Sequence, residues 1–329
     1  MTSIRSLVKW SGQMSRVNIS AFIEQEKIMT TLLVNVMNPG VTNNGAPYVS
    51  FTLQDKTGSI EAKLWDAKDE MLEGVKPGSV ILINGEVLRY KGVLQLRIYN
   101  LSLVNPNETN PAEYVASTPL TDAYMHERIE EALSSLQDPI IHQVTEKVLS
   151  EYLDRFYTYP AAARNHHDFV GGLATHVIAM IDLANSFCEL YPALNRDLLI
   201  SGILLHDLGK VVELSGPILT EYTLVGKLVG HISIMQSKVN EVAQQLGVAE
   251  SEQVTLIRHL ILSHHGEYEY GSPVLPLIME AEILNYIDNI DARMNMFSKA
   301  LTGIEEGTFT ARIFALENRM FYKPKPFKK

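Results

Sequence analysis

LLISGILLHDLGK, Leu198 to Lys210, is an apolar run that ends in an adjacent histidine and aspartate. Leu198 to Leu205 reads as a helix apolar enough to be buried, so a polar dyad at its end needs a reason to be inside. Working outward, histidines and aspartates recur in a fixed order: His176, His206-Asp207, His231, His264-His265 and Asp288, at intervals of 30, 25, 33 and 24 residues. Amphipathic stretches carry them, at Thr121 to Leu136, Pro139 to Tyr157, Ala174 to Leu190, Arg196 to His206, Leu224 to Leu246, Glu252 to Ser263, Pro276 to Ala300 and Thr310 to Asn318. This half is therefore expected to be an all-α bundle whose ligands converge from several helices on a metal pocket. His126, His142 and His259 read as ordinary helix residues.

Imidazole and carboxylate without thiolate suit Mn, Fe, Co, Ni or Zn, and a shared aspartate can bridge two ions. One ion or two, and which metal, stay open; Mn2+ is the expectation. The single Cys188 forms no internal disulfide and no CxxC pair is present, so thiolate ligands are excluded.

Upstream the periodicity changes. Ile28 to Val36, Tyr48 to Leu53, Ser59 to Trp65, Ser79 to Leu88 and Val93 to Leu103 read as five strands. Turn signals separate them: Asn38-Pro39-Gly40, Asn43-Asn44-Gly45, Lys56-Thr57-Gly58, Pro77-Gly78 and Lys91-Gly92. A short helix is expected within Asp66 to Val75. Five strands with a helix after the third is the order of an OB-fold β-barrel. Val49, Phe51, Leu53, Ile60, Ala62, Leu64, Leu94, Leu96 and Ile98 would point inward at period two. The other face would carry Tyr48, Lys63, Trp65, Gln95, Arg97 and Tyr99, with Arg89, Tyr90 and Lys91 at the hairpin. Rings interleaved with cations suit single-stranded nucleic acid, since bases stack while Lys and Arg follow the phosphates. The bland alternative is that these rings pack against the second domain or a partner subunit.

The expected fold is multidomain β + α. Residues 1–17 form an N-terminal extension with no assigned role, 18–105 the OB-fold domain, 106–119 a proline-rich linker, 120–320 the helical metal domain and 321–329 a basic tail that is either a docking arm or a frayed end. The net charge of −10 divides unevenly: residues 1–105 carry 11 Lys/Arg and 9 Asp/Glu, a net of +2, leaving −12 for the rest. Carboxylates gathered for cations count as uncompensated charge in such a sum, so the acidity does not exclude a phosphate substrate. No run approaches the roughly 20 apolar residues needed to span a bilayer, and no secretory leader is evident, so no membrane partner and a cytoplasmic location are expected. Oligomeric state is left open, a homo-oligomer included.

The order H…HD…H…HH…D resembles that of the HD-domain metal-dependent phosphohydrolases. With QDKTGSIEAKLWD at Gln54 to Asp66, PAAARNHHDFVGGLATH at Pro160 to His176, LLHDLGK at Leu204 to Lys210 and LSHHGEYEYGSP at Leu262 to Pro273, nearly the whole chain resembles the YhaM-type 3'-5' exoribonucleases of Gram-positive bacteria. The resemblance implies that His176, His206, Asp207 and Asp288 ligate a primary ion, that Asp207 bridges to any second ion completed by His231, His264 and His265, and that Lys210 neutralises the scissile phosphate. Of Asn165, His166 and His167, one would orient phosphate or protonate the leaving group. It further implies hydrolysis of single-stranded RNA, with DNA as a second candidate, from the 3' end to nucleoside 5'-monophosphates. HHGEYEYGSP is also similar to the HD-GYP phosphodiesterases but departs from their tripeptide: Tyr270-Gly271-Ser272-Pro273 does not reproduce Gly-Tyr-Pro. The rivals are a phosphohydrolase acting on a free nucleotide and a non-catalytic single-strand-binding factor.

Overall fold

The structure, a computed structural model, describes residues 17–42, 44–90, 92–105, 108–110, 113–162 and 167–327. The chain divides into two compact units that meet between Val115 and Ala116.

The first unit is a closed five-stranded barrel in the order β1-β2-β3-β5-β4, from β1 (Lys27–Val41), β2 (Pro47–Asp55), β3 (Gly58–Trp65), β4 (Val80–Tyr90) and β5 (Val93–Leu103), with α1 (Asp69–Leu72) after β3. All neighbours are antiparallel except β3 and β5. Phe51 lies opposite Ala62, and Ala62 beside Leu96, so a large ring fills the space that a small residue leaves. The inward set is buried apart from Leu94, which is only partly covered. One expectation is corrected: Asn38-Pro39-Gly40 is no turn. β1 continues through it, paired with Ser50, Val49 and Tyr48 of β2. The pairing with β4 ends at Leu33, so beyond it β1 has a strand on one side only, and a proline there need cost no ladder bond. Tyr114, from the proline-rich stretch, is buried and donates its hydroxyl to Thr31 Oγ1 at 2.9 Å.

The second unit is helical: α2 (Asp122–Ser134), α3 (Pro139–Ser150), α4 (Leu153–Phe156), α5 (Gly172–Leu190), α6 (Arg196–Leu205), α7 (Lys210–Glu213), α8 (Leu224–Gln245), α9 (Glu252–Ser263) and α10 (Met279–Thr302). Side chains of Thr121, Asp138, Asn195, Thr223 and Ser251 accept from backbone amides and start α2, α3, α6, α8 and α9. Leu198 to Leu205 of α6 are all buried, packed by α3, α5, α9 and α10, so α6 delivers its C-terminal dyad to the middle of the unit. Among the described residues α5 is the one helix long and apolar enough to cross a membrane; its buried side chains belong to the helical core.

Three helix expectations are corrected. Pro139 to Tyr157 breaks after Ser150 into α3 and α4. Leu224 to Leu246 is broken at Gly230, whose φ of 75° no helix tolerates. Thr310 to Asn318 is not an amphipathic helix. Phe309 bridges Tyr322 and Ile313 bridges Arg319, giving a folded-back arm with one 3-10 turn, Phe314–Leu316. Left-handed Glu317 and Asn318 reverse the chain there, and the arm buries Leu316 while Phe321 packs edge-on against Phe297 at 4.5 Å. The segment from Phe321 to Lys323 is thus part of that arm rather than a frayed end.

Candidate metal centre and nucleic-acid face

α6 ends at His206, and its Nδ1 lies 2.9 Å from the Ile203 carbonyl oxygen. His264 repeats the device at the end of α9, 2.7 Å from the Ile261 carbonyl. In each case a carbonyl that the helix end leaves without an amide partner is satisfied by the imidazole. A carbonyl only accepts, so Nδ1 carries the proton and Nε2 keeps a lone pair. His265 Nδ1 is fixed the same way by the Tyr270 carbonyl at 2.7 Å, and His231 Nδ1 by Glu213 at 3.1 Å from both carboxylate oxygens.

The Nε2 atoms of His206, His231 and His264 lie close to Asp207. His206 Nε2 is 3.4 Å from Asp207 Oδ2, while His231 Nε2 and His264 Nε2 are 3.4 and 3.8 Å from Oδ1. His176 Nε2 is 3.2 Å from Asp288 Oδ1 and 3.9 Å from Asp207 Oδ2. Two sets of donors thus flank one carboxylate, His176, His206 and Asp288 on one side and His231, His264 and His265 on the other. His206 Nε2, His231 Nε2, His264 Nε2 and Asp207 Oδ1 are buried without a hydrogen-bond partner. Buried polar atoms are normally paired. Several of them converging, all acceptors and all nitrogen or carboxylate oxygen, fit divalent cations and little else.

The approach depends on glycine. A Cβ on Gly209 would sit 2.4 Å from the His231 carbonyl oxygen, so HDLGK can pass beneath α8 only with no side chain there. Lys210 Nζ lies 2.6 Å from Asp207 Oδ2. Burial alone would raise the Asp207 carboxyl; the Lys210 ammonium beside it opposes this, and the group is held well below its ordinary range. His264 is pushed the other way from a cation: burial, with His265 and His206 beside it, keeps it well below the usual histidine range and hence neutral.

Of the pre-motif cluster, Asn165 and His166 lie outside the described residues. His167 is buried, with Nε2 2.7 Å from Asp291 Oδ2, and its backbone amide donates to Asn295 Oδ1 at 3.0 Å. Its ring is therefore turned onto a carboxylate of α10, which the substrate-contacting role expected of it does not require.

On the barrel, Trp65 and Tyr99 are each 41% exposed, enough for a base to reach their faces. Tyr48 packs against Trp65 at 5.3 Å, and Lys63 lies over both rings. Parallel pairing sets Lys63 beside Arg97 on the next strand. Tyr99 gives its hydroxyl to Glu86. Lys63, Trp65, Arg89, Tyr90, Gln95 and Arg97 border one groove of about 320 Å3. Lys91 lies outside the described residues.

The family model for OB-fold nucleic acid binding domains matches residues 33–104, and that for HD domains residues 173–293. The 3'-5' exoribonuclease YhaM of Geobacillus sp. (strain WCH70) is 45% identical over 300 residues, 91% of this chain and 92% of that protein. The chain belongs to the YhaM family of 3'-5' exoribonucleases. Among solved structures, the second OB-fold domain of replication protein A from Methanococcus maripaludis is similar at 21% identity over 29% of this chain and 98% of that one, with a TM-score of 0.24. The HD domain of the phosphodiesterase PgpH from L. monocytogenes is similar at 18% identity over 52% of this chain and 77% of that one, with a TM-score of 0.28.

Two residues of this YhaM-family site escape the sequence reading. Glu213 orients His231, and Asp291 joins His176 to His167. Asp291 had a weak signal, one helical turn after Asp288. Glu213 had none, since only the fold brings it under α8.

Proposed function

We propose that this chain removes nucleoside 5'-monophosphates one at a time from the 3' end of single-stranded RNA, and of single-stranded DNA as a second substrate, in the cytoplasm. The observation that carries this reading is the convergence of unpartnered imidazole nitrogens on both oxygens of Asp207. His176, His206, Asp207 and Asp288 would hold one divalent cation and Asp207, His231, His264 and His265 a second, with Mn2+ proposed over Fe, Co, Ni or Zn. When bound, such cations supply Lewis acidity toward the phosphoryl oxygens and acidify water near neutral pH.

The chain's own residues do the rest. Asp207 offers one oxygen to each donor set, which fixes the spacing of the two. Lys210, buried and charged, adds a cation beside the place where a phosphoryl group would gain charge. Lys63 and Arg97 would follow the phosphates while Trp65 and Tyr99 stack on bases.

A time course with a 5'-labelled single-stranded oligonucleotide and Mn2+ tests this. A descending ladder of products supports it. An intact, retarded strand would point to a binding factor, and an intact, unretarded strand to hydrolysis of a free nucleotide.

A further inference from the structure

A cavity of about 380 Å3 runs from Lys210, His265 and Asp288 outward between α10 and the C-terminal arm. That volume is at the small end of small-molecule sites, the size for one nucleoside rather than a run of stacked bases. We propose that this cavity seats the terminal nucleoside of the strand, and that the ion pair of Arg293 with Glu317 holds the arm in place as its outer wall. The proposal rests on the exonuclease reading and goes beyond it in naming where the leaving nucleoside lies.

The lining has the chemistry for this. Ala292, Met296 and Ala315 offer apolar surface that a ring can lie against without hydrogen-bond readout. Asn289, exposed on α10, contributes an amide with a donor and an acceptor. Asn285, also in the lining, donates from Nδ2 to the His264 carbonyl at 2.8 Å. An amide that can both donate and accept, beside the apolar side chains of Ala292, Met296 and Ala315, can meet different bases, as an enzyme consuming a strand residue by residue requires.

The wall is held at three points. Arg293 Nη1 and Nη2 meet Glu317 Oε1 and Oε2 at 2.6 and 3.0 Å, a two-pronged pair. Leu316 is fully buried, and Phe321 packs on Phe297 of α10. Glu317 would otherwise repel a phosphodiester entering the cavity; Arg293 on one side and Arg319 on the other neutralise it.

The test uses full-length Mn2+-loaded protein, a 5'-labelled single strand and adenosine 5'-monophosphate as the inhibiting probe. Ala315 is exposed, so Ala315→Trp fills the cavity from its rim without entering the core. We expect it to raise KM for the strand and Ki for the monophosphate by about tenfold each, with the melting temperature held. Glu317→Ala, which loosens the wall, should raise the same two constants by about threefold. If Ala315→Trp folds and both constants stay at the parent values, the nucleoside lies elsewhere and the proposal is overturned while the exonuclease reading stands. If that variant does not fold, Glu317→Ala decides by the same criterion. If the parent protein leaves the strand intact, the exonuclease reading fails first and takes this inference with it.

Discussion

Asp291 Oδ2 lies 2.6 Å from His176 Nδ1, and the same oxygen lies 2.7 Å from His167 Nε2. One carboxylate oxygen on α10 therefore sets the tautomer of His176 and ties the segment before α5 to it. Asp291→Asn keeps the size but loses the charge that draws both protons. We expect a 10- to 100-fold loss of metal affinity, read by titration calorimetry, with turnover recovering when the metal is raised in proportion. Unchanged affinity would make Asp291 a packing residue only.

Removing Asp207 should separate hydrolysis from binding. Asp207→Ala takes the shared carboxylate from both donor sets and leaves Lys210 buried with no carboxylate on its Nζ. Hydrolysis is expected to vanish while oligonucleotide binding stays within a few-fold. The metal-free fold should lose about 3–5 kcal/mol in urea unfolding. Retained turnover would remove the proposed chemistry.

Metal loading should release protons, and in an uneven way. Burial alone would lower His176, but Asp288 and Asp291 push it up to about 10 in the metal-free chain. His264 and His265 are held below their ordinary range, first by burial, and are neutral already. A raised histidine stabilises the fold below its unfolded pKa, and that contribution is lost as pH rises through the folded value. A depressed one acts oppositely, its contribution lost as pH falls below about 6.5. The metal-free stability from these groups thus declines on both sides of about pH 6.5. At pH 8, loading should free about one proton per chain, from His176. Calorimetry in buffers of different ionisation enthalpy measures it, and heats independent of buffer would show that His176 is already neutral.

The barrel face gives a prediction of strand affinity. Trp65→Ala with Tyr99→Ala removes two half-exposed rings and should weaken binding of a single strand by roughly 2 to 6 kcal/mol. Fluorescence anisotropy with Asp207→Ala as the background reads binding without cleavage. Unchanged affinity would assign the face to a protein contact.

Asp138 starts α3 by accepting from the amides of Ile140 and Ile141 at 2.8 and 3.0 Å. Burial would raise its carboxyl, but the Ile141 amide, Gln253 and the Ile140 amide together hold it below the ordinary value. That contribution is present above pH 4 and lost as pH falls through the lowered pKa. Asp138→Ala should cost about 1 kcal/mol near neutrality and less in acid, measured by thermal unfolding.

Much of the molecule was legible in one dimension because its signals are local or ordered. Alternation marked five strands whose inward residues the barrel buries, with Leu94 alone at the rim. An apolar run that stops at His206-Asp207 marked the helix that must carry a polar dyad inward, and its flanking histidines do gather around it. What stayed hidden depends on neighbours. Asn38-Pro39-Gly40 has turn composition, yet it extends because one side of β1 is unpaired there. Thr310 to Asn318 has a helix-like pattern, but pairing with residues 319–322 and two left-handed residues override it.

Periodicity and residue chemistry, written along the chain, name the candidate cation ligands and the kinds of element that carry them. The packing of the helices is what sets Asp207 between two donor sets, turns Glu213 and Asp291 onto His231 and His176, and brings Ala315 and Glu317 of the arm to the cavity beside α10. Those facts depend on distances between residues far apart in the chain, which packing of the helices sets and no local pattern encodes.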